Sequence, residues 1–159
     1  MSSVLVVYGS VSGTAAIVAE EIVRELTEKD FQTELSDSSD VYTKIPNYDL
    51  VLVVTSTTGT GNFPDNIDGF YQELFQNKNN QRLTETQFSV LALGDTSFTT
   101  TYCRAGELFH DVFIQSGSDP ILECFKLDAC EVMDPVGAGI EWAHSVVAKV
   151  SNQLSQDVV

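Results

Sequence analysis

Two short runs, Val4-Leu5-Val6-Val7-Tyr8 and Leu50-Val51-Leu52-Val53-Val54, have no polar face. A strand sends alternate side chains to opposite sides of its sheet, so a run that is apolar at every position must be covered from above and below. That is the situation of a parallel sheet between two layers of helix. Phe88 to Leu93 is a third run of this kind, Phe31 to Leu35 is more polar and suits an edge, and a last strand is expected within Ile121 to Leu127.

Between these runs the apolar period lengthens to that of a helix. Ala15, Ala19, Ile22, Val23 and Leu26 fall on one helical face while Glu20, Glu21, Arg24, Glu25 and Glu28 cover the other. Further helices are expected over Ile67 to Phe75, Gly106 to Ile114, and Ile140 to Leu154, the last with Ala143, Val147 and Val150 inward, and a poorly patterned turn lies between Ser36 and Pro46. Strand and helix therefore alternate as successive βα units. The chain has 159 residues, and strand one is expected to start within two residues of Met1. We therefore expect a single domain over 1–159, free-standing rather than excised from a longer reductase.

Charge narrows the function. Against 8 Lys and Arg stand 23 Asp and Glu, a formal charge of −15. Nucleic-acid affinity comes mostly from basic residues on phosphates, and anionic lipid repels an acidic surface, so neither partner is expected. A protein with a basic docking face is. Cys103, Cys124 and Cys130 are odd in number, with no CxxC pair and no zinc spacing, so neither a disulfide framework nor a metal site is indicated and a reducing cytoplasm fits. No leader-like or membrane-spanning apolar segment is present.

Ligands of an open parallel sheet sit at the carboxyl ends of its strands, where three loops stand out. After strand one comes Tyr8-Gly9-Ser10-Val11-Ser12-Gly13-Thr14-Ala15, which offers three hydroxyls, a permissive glycine and a helix N-terminus. Its chemistry is that of a phosphate cradle, although Ser12 acting only as a helix cap is an alternative. It matches neither GxxxxGK[ST] nor GxGxxG, and no Lys or Arg precedes Arg24. Peptide dipoles and hydroxyls would have to hold the anion, which suits one terminal monophosphate.

After strand three comes Thr55-Ser56-Thr57-Thr58-Gly59-Thr60-Gly61-Asn62-Phe63-Pro64-Asp65-Asn66, and after strand four Leu93-Gly94-Asp95-Thr96-Ser97-Phe98, continuing to Tyr102 and Cys103. Each loop alone is explained by turn chemistry, and Phe63 by covering the core. A phosphate cradle and two aromatic loops at one sheet edge together suit a planar heterocycle on a ribityl phosphate.

These three motifs, Tyr-Gly-Ser-x-Ser-Gly-Thr-Ala, Ser-Thr-x-Gly-x-Gly-x-x-Pro-Asp-Asn and Leu-Gly-Asp-x-Ser followed by an aromatic-Cys pair, resemble the FMN-binding signatures of flavodoxins. The likeness is to short single-domain flavodoxins similar to the FMN domains of diflavin reductases. It implies a flavodoxin-like three-layer α/β sandwich with a five-stranded parallel sheet of order 2-1-3-4-5, without the insertion that splits strand five. By the resemblance, Ser10, Val11, Ser12, Gly13, Thr14 and Ala15 hold the phosphate of FMN. Thr57, Thr58, Gly59, Thr60 and Gly61 line one face and the N5 edge of the flavin ring. Leu93, Gly94, Asp95, Phe98, Tyr102 and Cys103 supply the pyrimidine edge and the other face. Where many relatives carry an aromatic or His this chain has Thr58, so Phe63 is an alternative ring partner on that side, and the opposite stacking ring is Phe98 or Tyr102.

The function so implied is that of a monomeric, cytoplasmic electron carrier with non-covalent FMN, moving single electrons between a basic-surfaced reductase and a basic-surfaced acceptor protein. It is not an enzyme in its own right, and no catalytic residue is assigned. Two other classes stay open: a flavodoxin-fold interaction module without flavin, and an FMN-dependent oxidoreductase. The segment from Pro46 to Asn77 contains Asp49, Asp65, Asp68 and Glu73 but no Lys or Arg. Each unit charge about 10 Å away in water-like dielectric contributes about 0.4 kcal/mol against placing further negative charge there. Cys103 is expected to be a packed small hydrophobe, His110 and His144 lie in expected helices and are given no general-base or ligand role, and Trp142 is expected to pack or touch a partner.

Overall fold

The computed structural model describes residues 3–10, 13–37, 41–56, 63–94, 103–128 and 133–157, the side chains of Asp65 and of 151–157 excepted. Strand β1 is Ser3–Gly9, helix α1 Thr14–Glu28, β2 Gln32–Ser36, α2 Val41–Lys44, β3 Leu50–Ser56, α3 Asp65–Asn77, β4 Gln87–Gly94, α4 Arg104–Gln115, β5 Asp119–Pro120, β6 Phe125–Asp128 and α5 Pro135–Asp157. All strand pairs are parallel, in the order β2-β1-β3-β4-β5, with β6 also on β4. The first pairs with β4 at Gln87 and Phe88, the second at Leu91 to Gly94, so the two short pieces occupy one sheet position in succession. The expected order 2-1-3-4-5 holds, with the fifth position in two parts.

The two-sided apolar runs do what their pattern requires. From β1, Val4 and Val6 enter a core with α1 and α5, while Leu5 and Val7 enter a second core with α2, α3 and α4. β3 splits the same way, Leu50, Leu52 and Val54 against Val51 and Val53, and so does β4, Leu91 and Leu93 against Phe88 and Val90. The more polar β2 lies at the edge. On α1 the buried positions are Ala15, Val18, Ala19, Ile22 and Leu26; Val23, expected inward, is half-buried at the border of that face. Trp142 is 3% exposed and belongs to the α1–α5 core, which selects packing from its two expected roles.

The fifth strand departs from the continuous run expected within Ile121 to Leu127. Ile121 N–H still donates to Phe88 C=O at 2.9 Å. Beyond it the chain leaves the ladder because Ile121 and Leu122 pack into the α1–α5 core while Cys124 packs toward the other side. Pairing resumes only at Phe125.

Candidate functional site

All three motif-bearing connections leave carboxyl ends of adjacent strands, β1, β3 and β4, because the parallel order places those ends on one edge. At the end of β1 the chain passes Ser10 and enters α1 through Gly13, the residue before the helix, at φ 96°. Positive φ is readily adopted only without a Cβ. The first helical bond runs from Ile17 N–H to Gly13 C=O at 3.1 Å, so the amides of Thr14, Ala15 and Ala16 have no intrahelical acceptor. No acidic residue occupies that first turn, and among the described residues a Cβ built on Gly13 would have nothing within 4 Å. Ser10 Oγ accepts from Gly13 N–H at 2.8 Å. Free amides, a positive helix end and open ground are what an anion needs. Ala15 is wholly buried, so it can offer an anion only its backbone, whereas Thr14 is exposed. The cap position falls on Gly13; Val11 and Ser12 lie outside the described residues.

The first turn of α3 stands against this loop. Asn66 Oδ1 accepts from Ser10 N–H at 3.2 Å, and Asn66 Nδ2 donates to Tyr8 C=O at 2.9 Å and to Asp37 C=O at 3.2 Å. Next to it, a Cβ on Gly9 would lie 2.5 Å from Ile67 Cγ2, so glycine is what permits helix and strand end to approach this closely. Ser56 Oγ donates to Gly9 C=O at 3.4 Å and ties the end of β3 to the same point. Tyr8 O–H reaches Asp37 Oδ2 at 3.5 Å, and its hydroxyl pKa is raised by burial first and then by the charges of Asp37 and Glu20. Asn66 was visible in the Pro-Asp-Asn motif, but nothing local in sequence reveals bonds to residues 29 to 58 positions away.

At the end of β4, Leu93 is 5% exposed with its side chain in the core, and Gly94 is half-buried. The chain enters α4 through Cys103, fully buried at φ 55°, whose thiol donates to Ala92 C=O at 3.5 Å. That contact bears out packing for Cys103. Phe63 stacks on Tyr71 with ring centroids 4.3 Å apart and meets Phe109 edge-on at 5.2 Å, which is a core-covering position. Thr57, Thr58, Gly59, Thr60, Gly61, Asp95, Phe98 and Tyr102 lie outside the described residues.

Elsewhere, His144, on α5, has a partner that sequence distance concealed: its Nε2 is 3.0 Å from Glu25 Oε1 on α1. His110 Nδ1 is buried without a hydrogen-bond partner among the described residues, and burial lowers the pKa of this imidazole while Asp111 and Glu123 pull the other way. Burial pushes the Cys124 thiol up to about 12. Among the described residues no group of His, Cys, Asp and Glu is placed to hold a metal ion, and no helix is long and apolar enough to cross a membrane.

Residues 6–140 match the flavodoxin family model. A sulfite reductase [NADPH] flavoprotein alpha-component from Vibrio vulnificus is 31% identical over 154 residues, which cover 96% of this chain but 24% of that protein. The chain thus spans about a quarter of the length of such relatives. Flavodoxin YqcA of Escherichia coli is 29% identical across 91% of this chain and 95% of its own. Among solved structures, a cysteine-to-serine mutant of a flavodoxin from Pseudomonas aeruginosa superposes with a TM-score of 0.83 at 29% identity, covering 94% of this chain and 99% of that one. The chain belongs to the flavodoxin family. Flavodoxins, as a family, are electron carriers.

Proposed function

We propose that this chain binds FMN non-covalently and carries single electrons between a reductase and an acceptor protein. The observation that supports this most is the start of α1: amides without an intrahelical acceptor, no acid in the first turn, and, among the described residues, open space beside a left-handed Gly13. These donors fit one terminal phosphate, and with no cation before Arg24 they do not suit a polyphosphate. When bound, the flavin supplies the electron chemistry, and the protein contributes binding, orientation and electrostatics. In this reading Ser10 to Ala15 hold the phosphate, Thr57 to Gly61 border the ring on the β3 side, and Leu93 to Asp95 with Phe98, Tyr102 and Cys103 border it on the β4 side. The backbone of Leu93 serves there, since its side chain is in the core. The partners present basic faces to a chain of charge −15, and the protein works as a cytoplasmic monomer.

Recombinant protein should purify yellow with one FMN per chain, identified after release by chromatography, and a redox titration should resolve two one-electron potentials. A colourless protein that does not take up added FMN overturns the proposal and leaves a docking module on the same fold.

A further inference from the structure

Asn66 is an exposed residue with an unusual set of bonds. An exposed asparagine ordinarily spends its amide on water or on its own turn. This one spends both ends on backbone groups of distant segments: Ser10 N–H and Tyr8 C=O on either side of Gly9, and Asp37 C=O beyond the end of β2. Acceptor and donor of a single amide thus bracket one residue of the chain where it leaves β1. Gly9 and Ile67 sit in contact below the bracket, with no room for a Cβ between them, so the approach of α3 to this point is steric as well as hydrogen-bonded.

We propose that Asn66 is a positioning residue for phosphate recognition: from the first turn of α3 it fixes where the chain leaves β1, and so sets the aim of the amides at the start of α1. The inference rests on the FMN reading. Ser10 is the relay, because its N–H is held by Asn66 while its Oγ holds Gly13 N–H, the residue from which α1 starts. Remove the amide and Ser10 N–H, Tyr8 C=O and Asp37 C=O all return to water. The loop then orders only when a phosphate arrives, and the ordering cost appears as lost affinity. Riboflavin, which has the same ring but no phosphate, does not meet that cost.

The test compares FMN with riboflavin on the apoprotein of the full chain, wild type against Asn66→Ala and Asn66→Ser. Serine keeps a polar residue in the first turn of α3 but is too short to bridge Tyr8 and Ser10. Thermal melts of each apoprotein establish that the variants fold. The preference for FMN over riboflavin should fall by about tenfold or more in both variants, through weaker FMN binding, with riboflavin affinity changed by no more than about twofold. Equal losses for both ligands would reduce Asn66 to a general support of the site, and an unchanged preference would remove its role altogether; either result overturns the proposal. A wild-type chain that binds neither ligand overturns the FMN reading itself.

Discussion

Two glycines show how differently a single missing Cβ can matter. Gly13 has open space among the described residues but a positive φ, so Gly13→Ala is limited by backbone conformation, at about 1–2 kcal/mol, and disturbs the amides at the start of α1. Its expected outcome is a lower melting temperature together with weaker FMN binding. At Gly106 the obstacle is a neighbour: an added Cβ would lie 2.3 Å from Ala92 Cβ, across the packing of α4 on β4. Gly106→Ala should destabilise by about 1–3 kcal/mol, read by denaturant unfolding. The pair Gly106→Ala with Ala92→Gly should recover part of that loss; no recovery would show that this contact is not the cause. The permissive role of Gly13 was legible because a glycine between hydroxyl residues at a helix start carries its own explanation. The need for glycine at Gly106 and the bonds of Asn66 were not legible, since each depends on which distant backbone the fold brings alongside.

Among the elements, α4 carries a pH dependence. Unfolded, His110 takes a proton near the ordinary value of 6.5; folded, burial of a ring with no partner on Nδ1 among the described residues holds that value lower. Between the two values the unfolded chain binds more protons, so the contribution of His110 is fully present above about pH 6.5 and is lost as pH falls through the folded value. Replacing it, as His110→Leu, should shrink the drop in melting temperature between about pH 8 and pH 5.5. An equal drop in both proteins would place the pH sensitivity elsewhere. On the β5–β6 side, Cys124 is held protonated with its thiol near 12 and Cys103 is buried, so in the native protein both should resist iodoacetamide at about pH 8 and react once unfolded, as mass spectrometry of the peptides would show. Apart from the four-residue α2, which falls where only a poorly patterned turn was expected, element existence and order were legible because two-sided apolar runs and one-sided helices have different periods. The break in the fifth strand was not: Ile121 and Leu122 are as apolar as strand residues, and only their packing against α1 and α5 takes them off the ladder.

At the scale of the whole molecule, a charge of −15 on 159 residues acts on encounters rather than on the fold. Electron transfer to a basic acceptor protein should slow as ionic strength rises past any low-salt trapping, because salt shortens the reach of that field to about 8 Å near physiological strength. Stopped-flow rates indifferent to salt would assign the acidic surface to solubility alone. That the carboxyl ends of β1, β3 and β4 share one edge was readable from the alternation of parallel βα units, whereas the sheet order was legible only through the resemblance of the three motifs to flavodoxins. Which atoms of those loops face a ligand was readable only in part, since Ala15 and Leu93 turn their side chains into the core and can offer only backbone. The central claim is that this edge recognises a flavin through a single terminal phosphate. Titrating apoprotein with FMN, FAD and riboflavin and following the quenching of flavin fluorescence tests it most directly. Tight binding of one FMN per chain, with riboflavin and FAD each markedly weaker, is the predicted result, and riboflavin binding as tightly as FMN would contradict it.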